Sequence, residues 1–505
     1  MLFKIASASL AGIEAYIVDV EVDISLGIPN YITVGLPDAA VRESKERVRA
    51  AIKNCGYEFP SRKIIINLGP ADRRKEGSAF DLPISLGLLA HSGIFPHERL
   101  KDYLFLGELA LDGRLKPGKG ILSSTVLAKK KGFKGIVVPK DNEKEAALVQ
   151  GINIFGLEDL VQVVQLLNFS ESIAPSKYTL EQILPKTDYS IDFKEIKGQQ
   201  HVKRALEVAA AGEHNVLMIG PPGAGKTMLA RRLPSILPPM LFDEILEATR
   251  IYSASGLLID RGVIGERPFR SPHHTISDAG LIGGGIIPKP GEITLAHRGV
   301  LFLDELPEFR RGVLEDLRQP LEDEKVTISR AYMNVTFPSS FMLVAAMNPC
   351  EDAFSGLSSQ YECTDNQRIR YYSKISRPLL DRIDIQLEVP KVDFKDIISN
   401  FEEESSAEIR KRVIQARKRQ LQRFKRKKIY CNARMRTKEV KEYCKVDREG
   451  EELLEMAVNK MGLSTRAYTR ILKVARTIAD LDGEEKINPV HVSEAIQYRM
   501  MDKYL

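Results

Sequence analysis

The sequence predicts an α/β protein that ends in a helical region. In residues 1–170, strand-like runs such as YIVDVEVDIS and KIIINLG alternate with amphipathic, helix-like runs such as AVRESKERVRAAIKNCG. From about residue 191, the apolar runs NVLMIG, GVLFL and FMLVAAM each lead into polar residues, as the buried strands of an open α/β sheet do. Beyond Pro390 the remaining runs are helical and the chain is strongly basic.

These patterns divide the chain into four segments. Residues 1–170 form a first α/β domain, and residues 171–190, which lack a clear period and contain two prolines, form a linker. Residues 191–390 form a second α/β domain, and residues 391–505 form a basic helical segment.

The composition is that of a globular protein. Of the 505 residues, 43% are apolar and 28% are charged, which excludes disordered and collagen-like classes. No apolar run approaches the roughly 18–20 residues of a membrane span, and the early acidic residues argue against a signal peptide. The five scattered cysteines are typical of reduced thiols. We therefore expect a cytoplasmic protein with no membrane partner.

The most specific motif is a phosphate loop between a strand and a helix. Its glycines let backbone N–H groups converge on phosphate oxygens, and the following helix directs its positive end to the same point. Lys226 would reach the β- and γ-phosphates of ATP, and the Thr227 hydroxyl would hold Mg²⁺. The loop consists of Gly220, Pro221, Pro222, Gly223, Ala224, Gly225, Lys226 and Thr227.

Two further apolar strands end in polar residues suited to the same site. Asp304 suits a Mg²⁺ contact, and Glu305 suits polarising the attacking water as a general base. Asn348 would contact the γ-phosphate or the water. Taken alone, an asparagine before a proline is more often a turn former; after the other two motifs we favour the nucleotide site.

With these motifs, the chain resembles the ComM (or YifB) family of magnesium-chelatase-like AAA+ ATPases over essentially its full length. The strings that carry the resemblance are GQQHVKRALEVAAAGEHNVLMIGPPGAGKT, PFRSPHHT, GGGIIPKPGEITLAHRGVLFLDELPEF, PLLDRIDI and TRAYTRILKVARTIADLDG. The resemblance implies an AAA+ core over residues 191–390 with a C-terminal helical lid.

The resemblance also implies roles for single residues. Asn348 matches sensor 1, Arg382 matches an arginine finger that acts on a neighbouring subunit's ATP, and Arg466 matches sensor 2. Arg377 and Arg470 are nearby alternatives, and a salt bridge is the ordinary alternative for any of these arginines. A finger supplied by a neighbour implies a ring, and the family expectation is a homo-hexamer.

Two insertions fit the same family. Residues 275–297, rich in glycine, resemble the helix-2 insert, and residues 325–341 alternate like the pre-sensor-1 hairpin. Arg330 at the hairpin tip is a DNA-contact candidate, although an exposed turn arginine is the more common explanation. The adjacent pair His273-His274 is not expected to share one metal, because neighbouring side chains point in different directions.

The chain departs from family patterns at two places. Of the four thiolates that hold zinc in many relatives, only Cys350 and Cys363 remain; Asp352 could substitute, but Tyr361 would be a poor ligand, so we expect no zinc.

Residues 1–170 resemble the proteolytic domain of Lon, a ribosomal-S5-like fold. Ser78 occupies the position of the catalytic serine, but Leu122 stands where its lysine is required and Lys119 is three residues away. We therefore expect a non-proteolytic domain.

Residues 410–438 contain 14 Lys or Arg and no Asp or Glu. A solvated helix face usually shows both signs of charge, so we favour a phosphate-binding surface that includes Lys425, Arg426 and Lys427. No base-reading motif accompanies it, which favours sequence-independent binding of single-stranded or branched DNA.

The resemblance then implies an ATP- and Mg²⁺-dependent hexameric helicase that promotes branch migration in homologous recombination and natural transformation. The alternative is a magnesium-chelatase-type ATPase that remodels a protein partner.

Overall fold

The alternating strand and helix patterns become two separate units in the computed structural model. The residues that the structure describes are 2–75, 77–169, 173–184, 189–258, 262–285, 287–330, 333–350, 363–398, 402–425, 427 and 429–499. The first unit comprises residues 1–186 and 241–265, and the second comprises residues 187–240 and 266–505.

The strands form three sheets and three short hairpins. Their bounds are Leu2–Ala11 (β1), Glu14–Ser25 (β2), Asn30–Val34 (β3), Lys63–Gly69 (β4), Tyr103–Phe105 (β5), Glu108–Leu109 (β6), Leu115–Lys116 (β7), Gly135–Pro139 (β8), Asn153–Leu157 (β9), Val216–Ile219 (β10), Phe269–Arg270 (β11), Gly283–Gly284 (β12), Lys289–Pro290 (β13), Val300–Leu303 (β14), Lys325–Arg330 (β15), Met333–Pro338 (β16), Met342–Met347 (β17) and Ile385–Glu388 (β18).

The helices surround these sheets and make up most of the C-terminal part. Their bounds are Ala39–Asn54 (α1), Asp81–His91 (α2), Ile121–Lys131 (α3), Glu143–Ala146 (α4), Leu160–Asn168 (α5), Leu180–Ile183 (α6), Gln200–Gly212 (α7), Lys226–Ile236 (α8), Phe242–Ser255 (α9), Asp278–Leu281 (α10), Glu292–Leu295 (α11), Arg311–Asp316 (α12), Arg318–Asp323 (α13), Asp365–Tyr372 (α14), Arg377–Leu380 (α15), Phe394–Ile398 (α16), Ser406–Arg423 (α17), Thr437–Tyr443 (α18), Arg448–Met461 (α19), Thr465–Asp482 (α20) and Pro489–Gln497 (α21). Short 3₁₀ turns are His97–Asp102, Lys140–Asn142, Phe193–Glu195, Leu306–Glu308 and Asn432–Arg434.

The first unit contains a four-stranded and a three-stranded sheet. The four-stranded sheet has the order β1-β2-β4-β3, in which only the β3–β4 pair is parallel. The three-stranded sheet, β5-β8-β9, is parallel. Alternate residues of β2, such as Val20 and Val22, are fully buried because one face of the strand lies in the core.

Helix α9 belongs to the first unit, although residues 241–265 lie inside the range predicted for the ATPase core. The backbone N–H of Gly120 donates to the Ser253 carbonyl at 3.1 Å. Arg250 forms an ion pair with Glu14 at 3.0 Å and donates to the Ser123 hydroxyl. These bonds tie α9 to the N-terminal half of the first unit.

The second unit is built on one parallel five-stranded sheet of order β11-β14-β17-β10-β18. Its core continues into the C-terminal helices, where Val413, Ala416 and Phe424 are buried. The sequence predicts an apolar seam of Val413, Ala416, Leu421 and Phe424, and of these four Leu421 is only partly buried. Because all five strands run in one direction, the segments after β10, β14 and β17 emerge at the same edge of the sheet.

No helix in the part of the chain that the structure describes is both long enough and apolar enough to span a bilayer.

Candidate nucleotide site

The phosphate loop links strand β10 to helix α8. Gly223 and Gly225 have positive φ values of 78° and 88°, a conformation that glycine adopts at no steric cost. The N–H of Gly220 donates to the Met347 carbonyl at the end of β17. Helix α8 then starts at Lys226, so its positive N-terminus lies beside the loop, an arrangement that suits phosphate.

The buried ammonium of Lys226 connects the loop to the end of strand β17. Its Nζ donates to the carbonyls of Gly220 and Pro221, at 2.6 and 3.0 Å, and to Oδ1 of Asn348, also at 3.0 Å. Lys226 and Asn348 are 122 residues apart in sequence, and the β10–β17 pairing brings them together. The structure thus places the predicted lysine and sensor asparagine in direct contact.

Thr227 and Asp304 meet across the same edge. The Thr227 hydroxyl donates to the Asp304 carboxylate at 2.7 Å. A hydroxyl and a carboxylate oxygen are ligands that Mg²⁺ accepts, so this pair fits a metal held together with phosphates. The residues at this sheet edge therefore fit Mg²⁺·ATP: the ammonium and the loop N–H groups suit the phosphates, and two oxygen donors suit the ion.

The Glu305 carboxylate contacts His274 and not the Thr227–Asp304 pair. The φ of Glu305, 52°, lies in the left-handed region, and its carboxylate Oε2 is 3.3 Å from Nδ1 of His274, for which the sequence predicts no role. The side chain of Glu305 is more than half exposed. Consecutive acidic residues at the end of β14 thus contact different neighbours.

Tyr371 is a site residue that the sequence reasoning missed. Its hydroxyl donates to the Asn348 carbonyl at 2.9 Å. Burial raises the pKa of Tyr371 well above its usual range, so the group stays a protonated donor. The polar helix DNQRIRYY gives no motif that marks this tyrosine.

The candidate arginines differ in exposure. Arg382 is buried and forms an ion pair with Glu322. Arg377 and Arg466 are exposed, and Arg470 pairs with the buried Asp384. Although burial opposes it, the Arg470 guanidinium holds the pKa of Asp384 below its ordinary value. No hydrogen bond between Arg466 and the loop is found in the described residues.

The cysteines near the site correct one expectation. Cys350 and Cys363 form a disulfide, with Cα atoms 6.3 Å apart, whereas Cys55, Cys431 and Cys444 are free thiols. Our expectation that all five are reduced is therefore wrong for this pair, because the fold brings two cysteines 13 residues apart within bonding reach. Asp352 and Tyr361 lie outside the described residues, within which no group of three or more His, Cys, Asp or Glu could hold a metal.

A hairpin forms where the sequence predicted one. Strand β15 pairs antiparallel with β16, and Arg330 is the last residue of β15. Nε of Arg330 donates to the Gly285 carbonyl of the glycine-rich insert at 3.3 Å. A cavity of about 570 Å³ lies between the insert and this hairpin.

Much of the basic run is paired with acidic residues from other elements. Lys427, one of our DNA candidates, lies 2.8 Å from the Glu442 carboxylate and over the Tyr443 ring. Arg426 lies outside the described residues, and Lys425 is exposed. Ion pairs in this run involve Arg412, Arg417, Arg423, Lys427 and Arg434. A stretch of sequence without acidic residues can thus still be paired, in the fold, with acidic residues from other parts of the chain.

Comparisons with known proteins cover almost the whole chain. The family model described as magnesium chelatase, subunit ChlI, matches residues 192–397. A second model, subunit ChlI of Mg-chelatase, matches residues 20–142, and the subunit ChlI C-terminal model matches residues 403–499.

Full-length relatives are also found. Competence protein ComM of Haemophilus influenzae is 43% identical over 99% of this chain and 97% of its own length. The uncharacterized protein YifB of Escherichia coli is 44% identical over 98% of this chain and 96% of its own. Lon protease 2 of Bacillus subtilis is 32% identical over 34% of this chain and 31% of its own, a partial similarity.

Proposed function

We propose that this chain, which belongs to the ComM/YifB family of magnesium-chelatase-like AAA+ proteins, is an ATP-driven motor that acts on DNA. The observation that carries the ATPase part is the convergence of Lys226 with Asn348 and of Thr227 with Asp304 at one sheet edge. The name of the relative ComM, a competence protein, supports a role in DNA uptake or recombination.

In this proposal, each residue has a separate task in hydrolysis. Lys226 would neutralise charge on the β- and γ-phosphates, and Thr227 with Asp304 would hold Mg²⁺, which would supply further positive charge to the phosphates. Glu305 accepts a proton from the attacking water. Asn348, held by Tyr371 through its carbonyl, keeps its amide directed at the γ-phosphate.

The second part of the proposal is assembly and work on DNA. A hexamer in which Arg382 reaches a neighbour's ATP would make turnover depend on the ring, and Arg466 would contact the nucleotide from the helical lid. The motor would promote branch migration during recombination and transformation, with the first unit as a non-proteolytic domain.

Exposed lysines on α17 support a DNA-binding face. Lys411, Lys418 and Lys425 are exposed and form no ion pair among the residues that the structure describes. The spacing of seven residues puts Lys411 and Lys418 on one helix face, about 10 Å apart, and Lys425 follows just past the helix end. We call these three residues the lysine stripe. Lys411 lies one turn from Glu408, whose pKa is lowered by hydrogen bonds from Ser405 and also by the charge of Lys411, so the exposure and spacing of the stripe are what favour phosphate contacts over a merely solvated surface.

The experiment measures ATP turnover with and without single-stranded, duplex and branched DNA, at low and higher salt. We expect stimulation that weakens as salt rises, because phosphate contacts release counterions. The Lys226→Ala variant is the inactive control for ATP hydrolysis. If none of the three kinds of DNA changes ATP turnover by the wild type, the proposal of a DNA motor is contradicted.

A chelatase-type activity is the second candidate, since all three family models carry that description. It predicts turnover that responds to a protein partner and is indifferent to DNA. The same assay therefore separates the two candidates.

A further inference from the structure

We propose that Glu403 is a positioning residue for nucleotide binding, because it holds the turn from which Gln199 supports the phosphate loop. The inference rests on the ATPase part of the proposed function. Residues 196–199 form this turn, directly before helix α7, and we call it the pre-α7 turn. Glu403 lies just before helix α17 and is 205 residues from Gly198 of the turn, so only the fold brings the two segments together.

The side chain of Gln199 joins the phosphate loop to the end of strand β18. Its amide donates two hydrogen bonds, to the Ala224 carbonyl at 3.0 Å and to the Pro390 carbonyl at 2.7 Å. Ala224 belongs to the loop, and its position is between the two glycines with positive φ. Strand β10, which leads into the loop, has β17 on one side and β18 on the other. Gln199 therefore supports the loop from the β18 side, whereas Asn348 contacts it from the β17 side.

The backbone of the pre-α7 turn has a conformation that needs support. Gly198 and Gln199 have positive φ values of 62° and 51°. Glycine adopts such values freely, but in glutamine the Cβ atom crowds the backbone. A conformation of this kind persists where surrounding contacts hold it. Glu403 supplies contacts of this kind from outside the turn.

The Glu403 carboxylate accepts three hydrogen bonds at the pre-α7 turn. Oε1 accepts from the backbone N–H of Gly198 at 2.7 Å, and Oε2 accepts from Nε2 of Gln200 at 2.8 Å and Nζ of Lys203 at 2.7 Å. Lys203 also donates to the Ile196 carbonyl, at the other end of the turn. The side chains of Glu403 and Lys203 are each only 5% exposed. Although burial opposes it, the bond with Lys203 holds the pKa of Glu403 below its ordinary value, so the acceptor stays charged at neutral pH.

These bonds form a continuous chain from the start of the C-terminal helices to the phosphate loop. Glu403 holds the backbone of Gly198. The next residue, Gln199, holds the carbonyl of Ala224. Without the carboxylate, the turn and the amide that it carries lose their fixed position. None of these bonds involves the proposed general base or the Mg²⁺ ligands, so Glu403 should affect nucleotide affinity and not the chemical step.

The experiment measures the Kd of a fluorescent, non-hydrolysable ATP analogue, and kcat and KM for ATP, in the full chain. In Glu403→Gln, a single acceptor oxygen replaces two, so the side chain can no longer accept from both Gly198 and Lys203. We expect Kd and KM to rise about three- to tenfold, the effect of one hydrogen bond, and kcat to change by less than about twofold.

Glu404→Gln is the matched control, because the neighbouring Glu404 pairs with Arg412 and has no bond to the pre-α7 turn among the residues that the structure describes. This variant also loses an ion pair, so it shows what a loss of stability alone does to Kd. We expect its Kd to equal that of wild type. Urea denaturation of both variants identifies conditions in which each is folded. An equal rise in Kd in the two variants would overturn the inference.

A double-mutant cycle tests whether Glu403 acts through Gln199. Gln199→Leu removes the amide and should by itself raise Kd, because the Ala224 carbonyl loses its partner. If the carboxylate acts through that amide, the combined variant binds the analogue no more weakly than the weaker single variant. Single losses that multiply in the combined variant would overturn the inference, and so would a Glu403→Gln variant with the Kd of wild type.

The outcomes separate this inference from the proposed function. A wild type that binds no nucleotide contradicts both. A wild type that hydrolyses ATP but does not respond to DNA contradicts the DNA motor alone, and a raised Kd in Glu403→Gln still supports the positioning role. A wild type that DNA stimulates, beside a Glu403→Gln variant with unaltered Kd, overturns the positioning role alone.

Discussion

The second unit brings Lys226 and Asn348 within 3.0 Å of each other at the edge of a parallel sheet. In the first unit, the Ser78 hydroxyl donates to the carboxylate of Glu108, and the position where a Lon-type peptidase needs a lysine is the fully buried Leu122. Both units present polar side chains of the kinds that enzymes use. In the second unit, the sheet topology delivers the lysine, asparagine, threonine and aspartate to one edge, so the neighbours, and not the residue type, define the site.

Replacing the predicted arginine finger should have the largest effect. Arg382→Ala is expected to lower ATP turnover about 10³–10⁵-fold, because the charge would stabilise the transition state in a neighbouring subunit. The Glu322 pair means that this variant also loses stability, so the decisive measurement is mixing. Arg382→Ala subunits mixed with Lys226→Ala subunits should regain turnover, since each supplies what the other lacks.

Arg377→Ala is the comparison variant because Arg377 is exposed and only five residues away. Turnover that is lost in Arg377→Ala and restored by mixing, while Arg382→Ala stays inactive in mixtures, would transfer the finger role to Arg377.

Replacing the proposed general base, Glu305, should give the next largest loss of ATP turnover. Glu305→Gln should lower kcat about 10²–10⁴-fold, because an amide cannot accept the proton of water. Binding of a fluorescent ATP analogue should be retained, which equilibrium titration checks. Glu308→Gln, an exposed carboxylate three residues on that pairs with Lys374, is the control and should leave kcat unchanged. Equal losses in the two variants would argue against a specific base.

The lysine stripe predicts a smaller effect, on DNA binding. Lys411→Gln, Lys418→Gln and Lys425→Gln combined should reduce affinity for single-stranded DNA about 10–100-fold. The slope of log affinity against log salt should become shallower by about two, because each lost phosphate contact removes about 0.7. Fluorescence anisotropy over a salt series measures both.

A matched triple variant tests whether position matters beyond charge. Lys441→Gln, Lys445→Gln and Lys460→Gln remove the same number of exposed charges elsewhere in the second unit. If this variant weakens binding as much as the stripe variant, net charge rather than the stripe accounts for affinity.

A buried carboxyl in the first unit should make the stability of the protein depend on pH without affecting ATP turnover. Burial raises the pKa of Glu145 to about 7, above the ordinary value of 4.5. The folded state therefore favours the protonated carboxyl, so this stabilisation is present at low pH and is lost as pH rises from about 4.5 to about 7.

Glu145→Gln removes that dependence. It should stabilise the protein more at about pH 8 than at about pH 5, by about 3 kcal/mol, while ATP turnover stays unchanged. Urea denaturation followed by circular dichroism at both values measures the difference. A stabilisation that is equal at the two values would show that the carboxyl titrates normally.

The site was predictable where local motifs and sheet topology coincide. The phosphate loop and the residues after the strands ending at Leu303 and Met347 carry their chemistry in short strings, and parallel strands must deliver them to one edge. The His274–Glu305 contact was not predictable, because it depends on how a seven-residue loop after β11 folds back. Tyr371 was missed for the same reason, since its partner is the backbone carbonyl of Asn348, 23 residues earlier in the chain.

By itself, the sequence determined the α/β class, the phosphate loop, the apolar seam of α17 and the alternation that makes the β15–β16 hairpin. These features depend on residue type and period, which local backbone geometry converts directly into structure. Only the tertiary structure decided which charged side chains form ion pairs within the fold. Residues 410–438 contain no acidic residue, yet Arg417 pairs with Glu213, directly after α7, and Arg423 pairs with Asp480 of α20. Charge pairing acts over a few ångströms in space, whatever the separation along the chain, so the fold alone decided which charges of the basic run are paired.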